Sequence, residues 1–237
     1  MTSKTTNGRR RQFTLASTTL LGTAWLGGLA ASGSALALGD DDAASGIREA
    51  LRRGAEAAVG RLGRDDGFLG DARVRIELPG FLDDAAKLLR FTGRQRQVDE
   101  LVTAMNRAAE AAVPLARDLL VATARDIQVE DALRIVRGGE TSVTDFFARR
   151  TRAPLGVKFL PLVTAATDKV ALADKYEAVA GKAARFGLVK DEDADLPRYV
   201  TRKALDGLYF MIGEEERKIR RDPIGTGSAL LRKVFSI

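Results

Sequence analysis

The chain has 237 residues without a single cysteine or histidine, which excludes disulfides, thiolate and imidazole metal ligands, a cysteine nucleophile and histidine-dependent catalytic triads. Its formal net charge of +6, from 38 basic and 32 acidic residues, is concentrated at the start, where four basic residues precede the first acidic one, Asp40. Without those four, 34 basic residues face 32 acidic ones, and a net charge of +2 predicts no nucleic-acid partner.

The beginning of the chain is typical of an export signal. An uncharged stretch from Gln12 to Gly39 follows the basic residues, and Ala35-Leu36-Ala37 supplies the small residues that signal peptidase accepts. We therefore predict a signal peptide over residues 1–37, cleaved after Ala37, and a periplasmic location for the remaining protein. An uncleaved membrane anchor is the alternative, because the uncharged stretch is long enough to span a bilayer, although its glycines weaken that alternative.

A pair of arginines indicates the export route. Arg10 and Arg11 are followed two positions later by Phe13, an arrangement that resembles the twin-arginine motif. Thr14 stands where leucine is usual, and the lysine that commonly follows is absent. We predict the twin-arginine route, with the general secretory route as the alternative.

Apolar residues recur at three- and four-residue spacing through most of the sequence after residue 45, which predicts amphipathic helices. The first predicted helix covers residues 45–63. In the following stretch, Val74, Ile76 and Leu78 alternate with charged residues, which predicts an ordered loop or one short extended segment. The further predicted helices are 81–91, 98–113, 114–124, 129–136, one capped by Thr141 or Ser142 that includes 146–147, 154–170, 172–186, 197–221 and 228–235.

These helices predict an all-α fold, an irregular multi-helix bundle of about eight helices with at most one short extended segment. They form a single predicted domain over residues 38–237, without a stable transmembrane segment after processing. Pro154 is expected to begin a helix, Pro161 to bend it, and Pro114 to kink a helix or start a new one. The phenylalanines expected in the core are Phe81, Phe91, Phe146, Phe147, Phe159, Phe186 and Phe210.

Five short stretches form a distinctive combination. They are Ala104–Glu110 (AMNRAAE), Lys158–Pro161 (KFLP), Thr167–Val170 (TDKV), Thr201–Leu208 (TRKALDGL) and Asp222–Ser228 (DPIGTGS). Together they make the chain, from about residue 38 to 235, resemble a bacterial family of exported helical proteins, domain of unknown function 4197. The resemblance implies a helical protein of the bacterial envelope, and it brings no assigned activity or catalytic residue.

Two polar residues, Asn106 and Glu215, interrupt the apolar faces of their predicted helices. A buried carboxylate needs a cation or hydrogen-bond donors. The candidate partners are Arg107, Arg202, Arg217 and Lys218. Together with Tyr209, these residues form either an internal polar lock between helices or a ligand-binding or catalytic site.

Two loop motifs resemble ligand sites only in part. Asp191, Asp193 and Asp195 alternate like the opening of a calcium loop, but the glycine and glutamate that an EF-hand needs at its sixth and twelfth positions are absent. We predict an acidic linker with a helix cap there, and no metal site. Residues 225–228 (GTGS) could cradle an anion, but they lack the lysine of a phosphate loop and are better explained as a turn with a serine cap. No cofactor is predicted.

Three functions fit these observations. The first is a non-catalytic periplasmic binding or interaction domain, with an envelope protein as partner. The second is a carrier of a lipid or another apolar small molecule, held in a gap between helices bent at Pro114 and Pro161. The third is a carboxylate-dependent hydrolase in which Glu215 acts with Asp206 or Tyr209. We favour the first, because the sequence contains no convergent catalytic motif.

Overall fold

Helices provide all the regular secondary structure of the described residues. The computed structural model describes residues 38–185 and 195–236. The α-helices are α1 (Asp40–Leu62), α2 (Asp83–Phe91), α3 (Gln95–Ala112), α4 (Arg117–Asp126), α5 (Ala132–Val136), α6 (Ser142–Lys169), α7 (Leu172–Arg185), α8 (Leu196–Arg221) and α9 (Ala229–Phe235), with 3₁₀ turns at Gly80–Leu82 and Pro114–Ala116. The predicted all-α fold is confirmed, and these two ranges contain no strand.

Helix α1 packs against α8, α4, α5 and α9. It begins at Asp40, before the predicted start at residue 45, because three aspartates in its first turn place negative charge beside the positive end of the helix dipole. At the crossing with α8, a Cβ atom added to Gly54 would lie 2.9 Å from Cγ2 of Ile212. The missing side chain therefore sets how closely α1 and α8 approach.

Helix α6 passes through two prolines, Pro154 and Pro161, so the prediction that a new helix begins at Pro154 is wrong. A proline inside a helix costs about 3 kcal/mol, because it removes a hydrogen bond and crowds the preceding turn. The buried side chains of Phe147, Leu155 and Phe159 lie at multiples of four residues along α6, which packs against α8 and α3. Each such side chain contributes about 1.5–3 kcal/mol when buried, and this continuous apolar face outweighs the prolines.

The loop that follows α1, residues 63–79, is ordered without being a strand. Val74 and Ile76 are buried in it, whereas Arg75 and Glu77 form an ion pair of 3.1 Å on its outer side. The prediction of an ordered loop or a short extended segment is confirmed.

Three predicted helix boundaries are also confirmed. Pro114 begins a 3₁₀ turn directly after α3. The side chain of Asp195 accepts a hydrogen bond from the amide of Arg198 at 3.0 Å and so caps α8. Ser228 caps α9 in the same way, through its hydroxyl oxygen. These starts depend on residues next to them in sequence, which is why they could be predicted.

The predicted aromatic core is largely in place. Phe146, Phe147 and Phe159 are buried, and Phe81 and Phe210 pack partly buried against the core. Phe91, however, is 92% exposed, so its predicted burial is wrong. The buried face of α2 is already formed by residues up to Leu89, and Phe91, two positions later, lies on the other side of the helix.

Several predictions fall on residues outside the described ranges. They concern the export-signal residues Arg10, Arg11, Phe13, Ala35 and Ala37, together with Asp191, Asp193 and Phe186. These predictions stay predictions. Among the helices of the described ranges, none combines the length and the apolar character needed to cross a membrane.

Candidate functional site

The polar residue predicted inside α3 connects that helix to the loop of residues 63–79. Asn106 is fully buried. Its Oδ1 accepts a hydrogen bond from the amide of Ile76 at 2.8 Å, and its Nδ2 donates to the carbonyl oxygens of Ile76 at 2.9 Å and Val102 at 2.8 Å. Both donors of the side-chain amide and its oxygen are thus engaged within the fold, which leaves Asn106 a structural role.

One turn further along α3 lies a buried carboxylate that the sequence pattern did not predict. Glu110 is 4% exposed; its Oε1 accepts hydrogen bonds from the amides of Phe68 and Leu69, both at 3.0 Å. Its Oε2 accepts one from Arg107 at 2.6 Å, and this bond raises the pKa of the guanidinium. Arg107 also donates to Asp66 at 2.8 Å. Arg107 therefore belongs to a cluster that holds the loop, and not to a site around Glu215.

On α8 the buried carboxylate is Glu216, whereas Glu215 had been predicted. The side chain of Glu215 is 25% exposed and pairs with Lys218 on the same helix at 2.9 Å. Glu216 is 3% exposed and lies four residues after buried Ile212, so it too is on the apolar face. Spacing along one helix does not distinguish these neighbours, but the packing of α6 on α8 does.

Glu216 caps the start of α6 from across the helix interface. Its carboxylate accepts hydrogen bonds from the amides of Val143 at 3.1 Å and Thr144 at 2.8 Å, two donors that have no partner within their own helix. Arg220 balances the charge, donating to Glu216 from Nε at 2.9 Å and to the carbonyl oxygen of Val136 at 2.7 Å. This cluster joins α5, α6 and α8.

The residues predicted as catalytic partners of Glu215 make other contacts. Tyr209 is 5% exposed, and its hydroxyl shares a hydrogen bond of 2.9 Å with Oγ1 of Thr151. Burial raises the pKa of Tyr209. Asp206 forms an ion pair with Arg152. The catalytic site centred on Glu215 is therefore not assembled.

The loop of residues 222–228 uses its own polar groups. The amide of Gly225 donates to Asp222 at 2.8 Å, and the amide of Ser228 donates to the hydroxyl of Thr226 at 3.2 Å. The carbonyl oxygen of Thr226 accepts a hydrogen bond from Arg53 of α1 at 2.8 Å. These amides are occupied by internal acceptors, which argues against an anion site there.

An open groove between α6 and α8, with a volume of about 560 Å³, is the strongest candidate for a ligand site. We call it the α6–α8 groove; it is lined by Arg152, Ala153, Gly156, Val157, Leu160, Arg198, Thr201, Arg202 and Leu205. Leu205 is buried, Leu160 half-buried and Val157 75% exposed. An apolar gap had been predicted between helices bent at Pro114 and Pro161. The groove is close to Pro161, because the preceding residue, Leu160, is among its lining residues. Among the described residues, none next to Pro114 lines it.

Three arginines stand at the rim of the α6–α8 groove. Arg152 forms an ion pair with Asp206 of α8, and Arg198 forms one with Asp195, which caps α8. The guanidinium of Arg202 lies 5.6 Å from the ring centre of Tyr199, and no carboxylate of residues 38–185 or 195–236 forms an ion pair with it. Stacking on an aromatic face leaves the in-plane N–H groups of a guanidinium free. Arg202 is therefore the rim cation most available to an anionic ligand.

A second open groove, of about 460 Å³, is partly lined by the carboxylates of Asp168, Asp174 and Glu177. All three residues are exposed, whereas the catalytic acid of a glycosidase needs a desolvated setting. In the part of the chain that the structure describes, no group of three or more acidic side chains is placed to hold a metal ion. The α6–α8 groove remains the better candidate.

Comparison with known proteins gives one finding. Neither the curated proteins nor the solved structures contain a match to this sequence. A family described as "Protein of unknown function (DUF4197)" matches residues 37–236, a range that includes α3, both helices of the groove and the two buried glutamates. The match extends over most of the chain, as the resemblance of the five short stretches implied. This protein therefore belongs to the DUF4197 family of proteins of unknown function.

Proposed function

We propose that this protein is an exported, non-catalytic binding protein of the bacterial envelope, and that the α6–α8 groove holds an acyl chain with an anionic head group. One observation carries the proposal. The groove combines an apolar floor with the guanidinium of Arg202, which forms no ion pair with any carboxylate among the described residues.

The apolar floor suits a hydrocarbon chain. Val157 and Leu160 from α6 face Leu205 from α8 across the groove, and Val157 is 75% exposed in the free protein. Each methylene group moved from water into such a groove contributes about 0.8 kcal/mol. The binding free energy of an acyl chain would therefore grow with the number of its methylene groups, and burial of the exposed Val157 side chain by the ligand would contribute further.

The rim suits a carboxylate or a phosphate. A guanidinium offers a planar fork of donors that matches either group, and a charge-assisted hydrogen bond contributes about 1.5–3 kcal/mol. Arg202 is held over the ring of Tyr199, whose hydroxyl in turn donates to the carbonyl oxygen of Glu77 at 2.9 Å. The cation is thus positioned before the ligand arrives, which lowers the entropy cost of binding.

The buried carboxylates support binding rather than catalysis. Glu110 and Glu216 each accept hydrogen bonds from two backbone amides and from one arginine. A general acid or base must reach a substrate. The carboxylate oxygens of Glu110 and Glu216 already accept hydrogen bonds from groups of the protein itself. Glu110 thus connects α3 to the loop of residues 63–79, and Glu216 connects α8 to α6.

Laurate and dodecanol test the groove, because they share a chain and differ in head-group charge. In a displacement assay with a dansylated fatty acid, laurate should bind more tightly than dodecanol. Arg202→Gln should weaken laurate binding by about 10- to 150-fold and leave dodecanol binding unchanged, whereas Val157→Asp should weaken both. Lys158→Gln, an exposed cation of α6 outside the lining, is the matched control. Failure of laurate to bind, or equal affinity of all three variants, would refute the proposal.

Export is tested separately. The paired change Arg10→Lys and Arg11→Lys should hold the protein in the cytoplasm if the twin-arginine route is used. The unaltered protein should appear in the periplasmic fraction with a mass that corresponds to cleavage after Ala37. Normal export of the double variant would indicate the general secretory route, and an intact chain in the membrane fraction would indicate an uncleaved anchor.

A further inference from the structure

Phe91 is the most exposed of the large apolar side chains in the described residues, at 92%. It is the last residue of α2, and Leu88, one turn earlier, is 43% exposed. Residues three apart on a helix lie on the same face, so the two side chains form one apolar projection. Contiguous exposed apolar surface is a sign of an interaction site, whereas single scattered apolar residues are not.

The corner between α2 and α3 holds this projection in place. All residues from 90 to 96 are exposed, yet the turn is closed by hydrogen bonds from the amide of Gly93 to the carbonyl oxygen of Arg90 at 3.2 Å and from the amide of Arg94 to that of Leu89 at 2.7 Å. Gly93 has a φ of +75°, a conformation that glycine adopts without steric cost. Phe91 thus projects from an ordered turn.

Two arginines flank the projection. Arg90 and Arg94 are exposed and form no ion pair with another residue of the two described ranges. Arg96 pairs with Glu100 at 2.8 Å and Lys87 with Asp84 at 3.0 Å. Asp84 lies about one turn before Lys87 in α2, and Glu100 lies about one turn after Arg96 in α3. Both carboxylates are thus farther from the corner than the cations they neutralise, and Phe91 is left between two arginines without an acidic partner among the described residues.

We infer that this corner, defined by Leu88, Arg90, Phe91 and Arg94, docks on the surface of a membrane that contains anionic lipids. Phe91 and Leu88 would enter the boundary between head groups and acyl chains, and the two arginines would contact lipid phosphates. The charge pattern carries the choice of partner. An exposed apolar side chain flanked by two arginines that are unpaired within the described part of the chain needs no matching pocket on a bilayer, where phosphates surround any inserted side chain.

The expected attachment is weak and reversible. Each arginine near an anionic membrane strengthens binding roughly fivefold, and one phenylalanine with part of a leucine adds a modest apolar contribution. Screening by salt should weaken the attachment. This inference is independent of the α6–α8 groove, because none of the corner residues lines it.

Site-specific fluorescence of the protein recovered from the periplasmic fraction tests the inference, because the predicted signal peptide would itself bind vesicles. Trp25 is the single tryptophan of the sequence; in a Trp25→Phe background, Phe91→Trp places the only indole at the corner. Vesicles made of equal parts phosphatidylcholine and phosphatidylglycerol should shift its emission to the blue, and brominated acyl chains should quench it. Phosphatidylcholine alone should do neither. Ile224→Trp in the same background is the matched control, because Ile224 is 71% exposed at a different place in the fold.

The arginines are tested in the same assay. Arg90→Gln with Arg94→Gln should weaken binding to the anionic vesicles roughly 25-fold, whereas Arg149→Gln with Lys158→Gln, two exposed cations of α6, should change it little. Equal quenching at positions 91 and 224 would overturn the inference, as would equal binding to neutral vesicles. An indole at position 91 that ignores vesicles but crosslinks to a protein would overturn it in favour of a protein partner. Retention of vesicle binding in Val157→Asp would separate it from the proposed groove function.

Discussion

Replacing Glu216 with alanine tests whether the second buried carboxylate connects α8 to α6. The change leaves the amides of Val143 and Thr144 without their acceptor, and a buried donor without a partner costs about 1–3 kcal/mol. It also leaves Arg220, whose side chain is 18% exposed, without its counterion; breaking a buried pair costs about 3–5 kcal/mol. Because these contributions overlap, we expect a loss of about 4 kcal/mol in the free energy of unfolding.

Glu215→Ala is the matched control, since it removes the same side chain one position earlier. Glu215 pairs with Lys218, which is 68% exposed, so its loss should cost less than about 1 kcal/mol. Urea unfolding followed by far-UV circular dichroism measures both free energies. Similar m-values would show that the two variants expose similar surface areas when they unfold. Equal costs for the two variants, or a cost below about 1 kcal/mol for Glu216→Ala, would refute the assignment of Glu216 as the buried connection.

Three further predictions concern packing, pH and backbone strain. Gly54→Ala should destabilise the protein by about 1–3 kcal/mol, because the added Cβ would lie 2.9 Å from a side-chain atom of Ile212. Gly60→Ala should stabilise it by up to about 1 kcal/mol, because its Cβ would have no atom within 4 Å. Equal shifts in Tm for the two variants would contradict this contrast. Burial raises the pKa of Tyr209, so the folded state holds the phenolic proton more tightly than the unfolded state does, and the stability that this provides below about pH 10 is lost as the pH rises further. Tyr209→Phe should therefore reduce the decline of the urea unfolding midpoint above about pH 10. An unchanged decline would count against this prediction. Ala171 has a φ of 50°, so Ala171→Gly should raise stability by up to about 1 kcal/mol, and a lower Tm would argue against strain there.

The two buried glutamates have a common arrangement. Glu110 reaches from α3 to the amides of the loop after α1, and Glu216 reaches from α8 to the first turn of α6. In each case an arginine three or four residues away on the same helix balances the charge. Both clusters join elements that are distant in sequence, which suits groups that select one packing of the helices over others.

The features predicted from sequence are those with local causes. The period of apolar residues predicted the helices, and neighbouring residues predicted the caps at Asp195 and Ser228. The burial of Asn106 followed from its place on an apolar stripe. Its partner, the backbone of Ile76, could not be predicted in the same way, because it lies 30 residues earlier in the sequence and only the tertiary structure brings that loop to α3.

The missed features depend on contacts between distant segments. Glu110 stands among alanines, and its acceptor role exists only because the amides of Phe68 and Leu69, about 40 residues earlier, fold over it. Pro154 is a local signal for a helix start, but the buried face shared with α8 and α3 overrides it. Phe91 is a residue type that is usually buried, and only the way in which α2 packs on α3 leaves its side chain in solvent.

The sequence by itself determined that this chain is helical, where most of its helices begin and end, and which family it resembles, since these properties depend on side-chain spacing and neighbouring caps. The tertiary structure decided which of two adjacent glutamates is buried, where an apolar groove opens, and which phenylalanine faces water. The physical reason is that helix packing rotates each face toward one neighbour. An angular change of one residue, about 100°, exchanges a buried position for an exposed one.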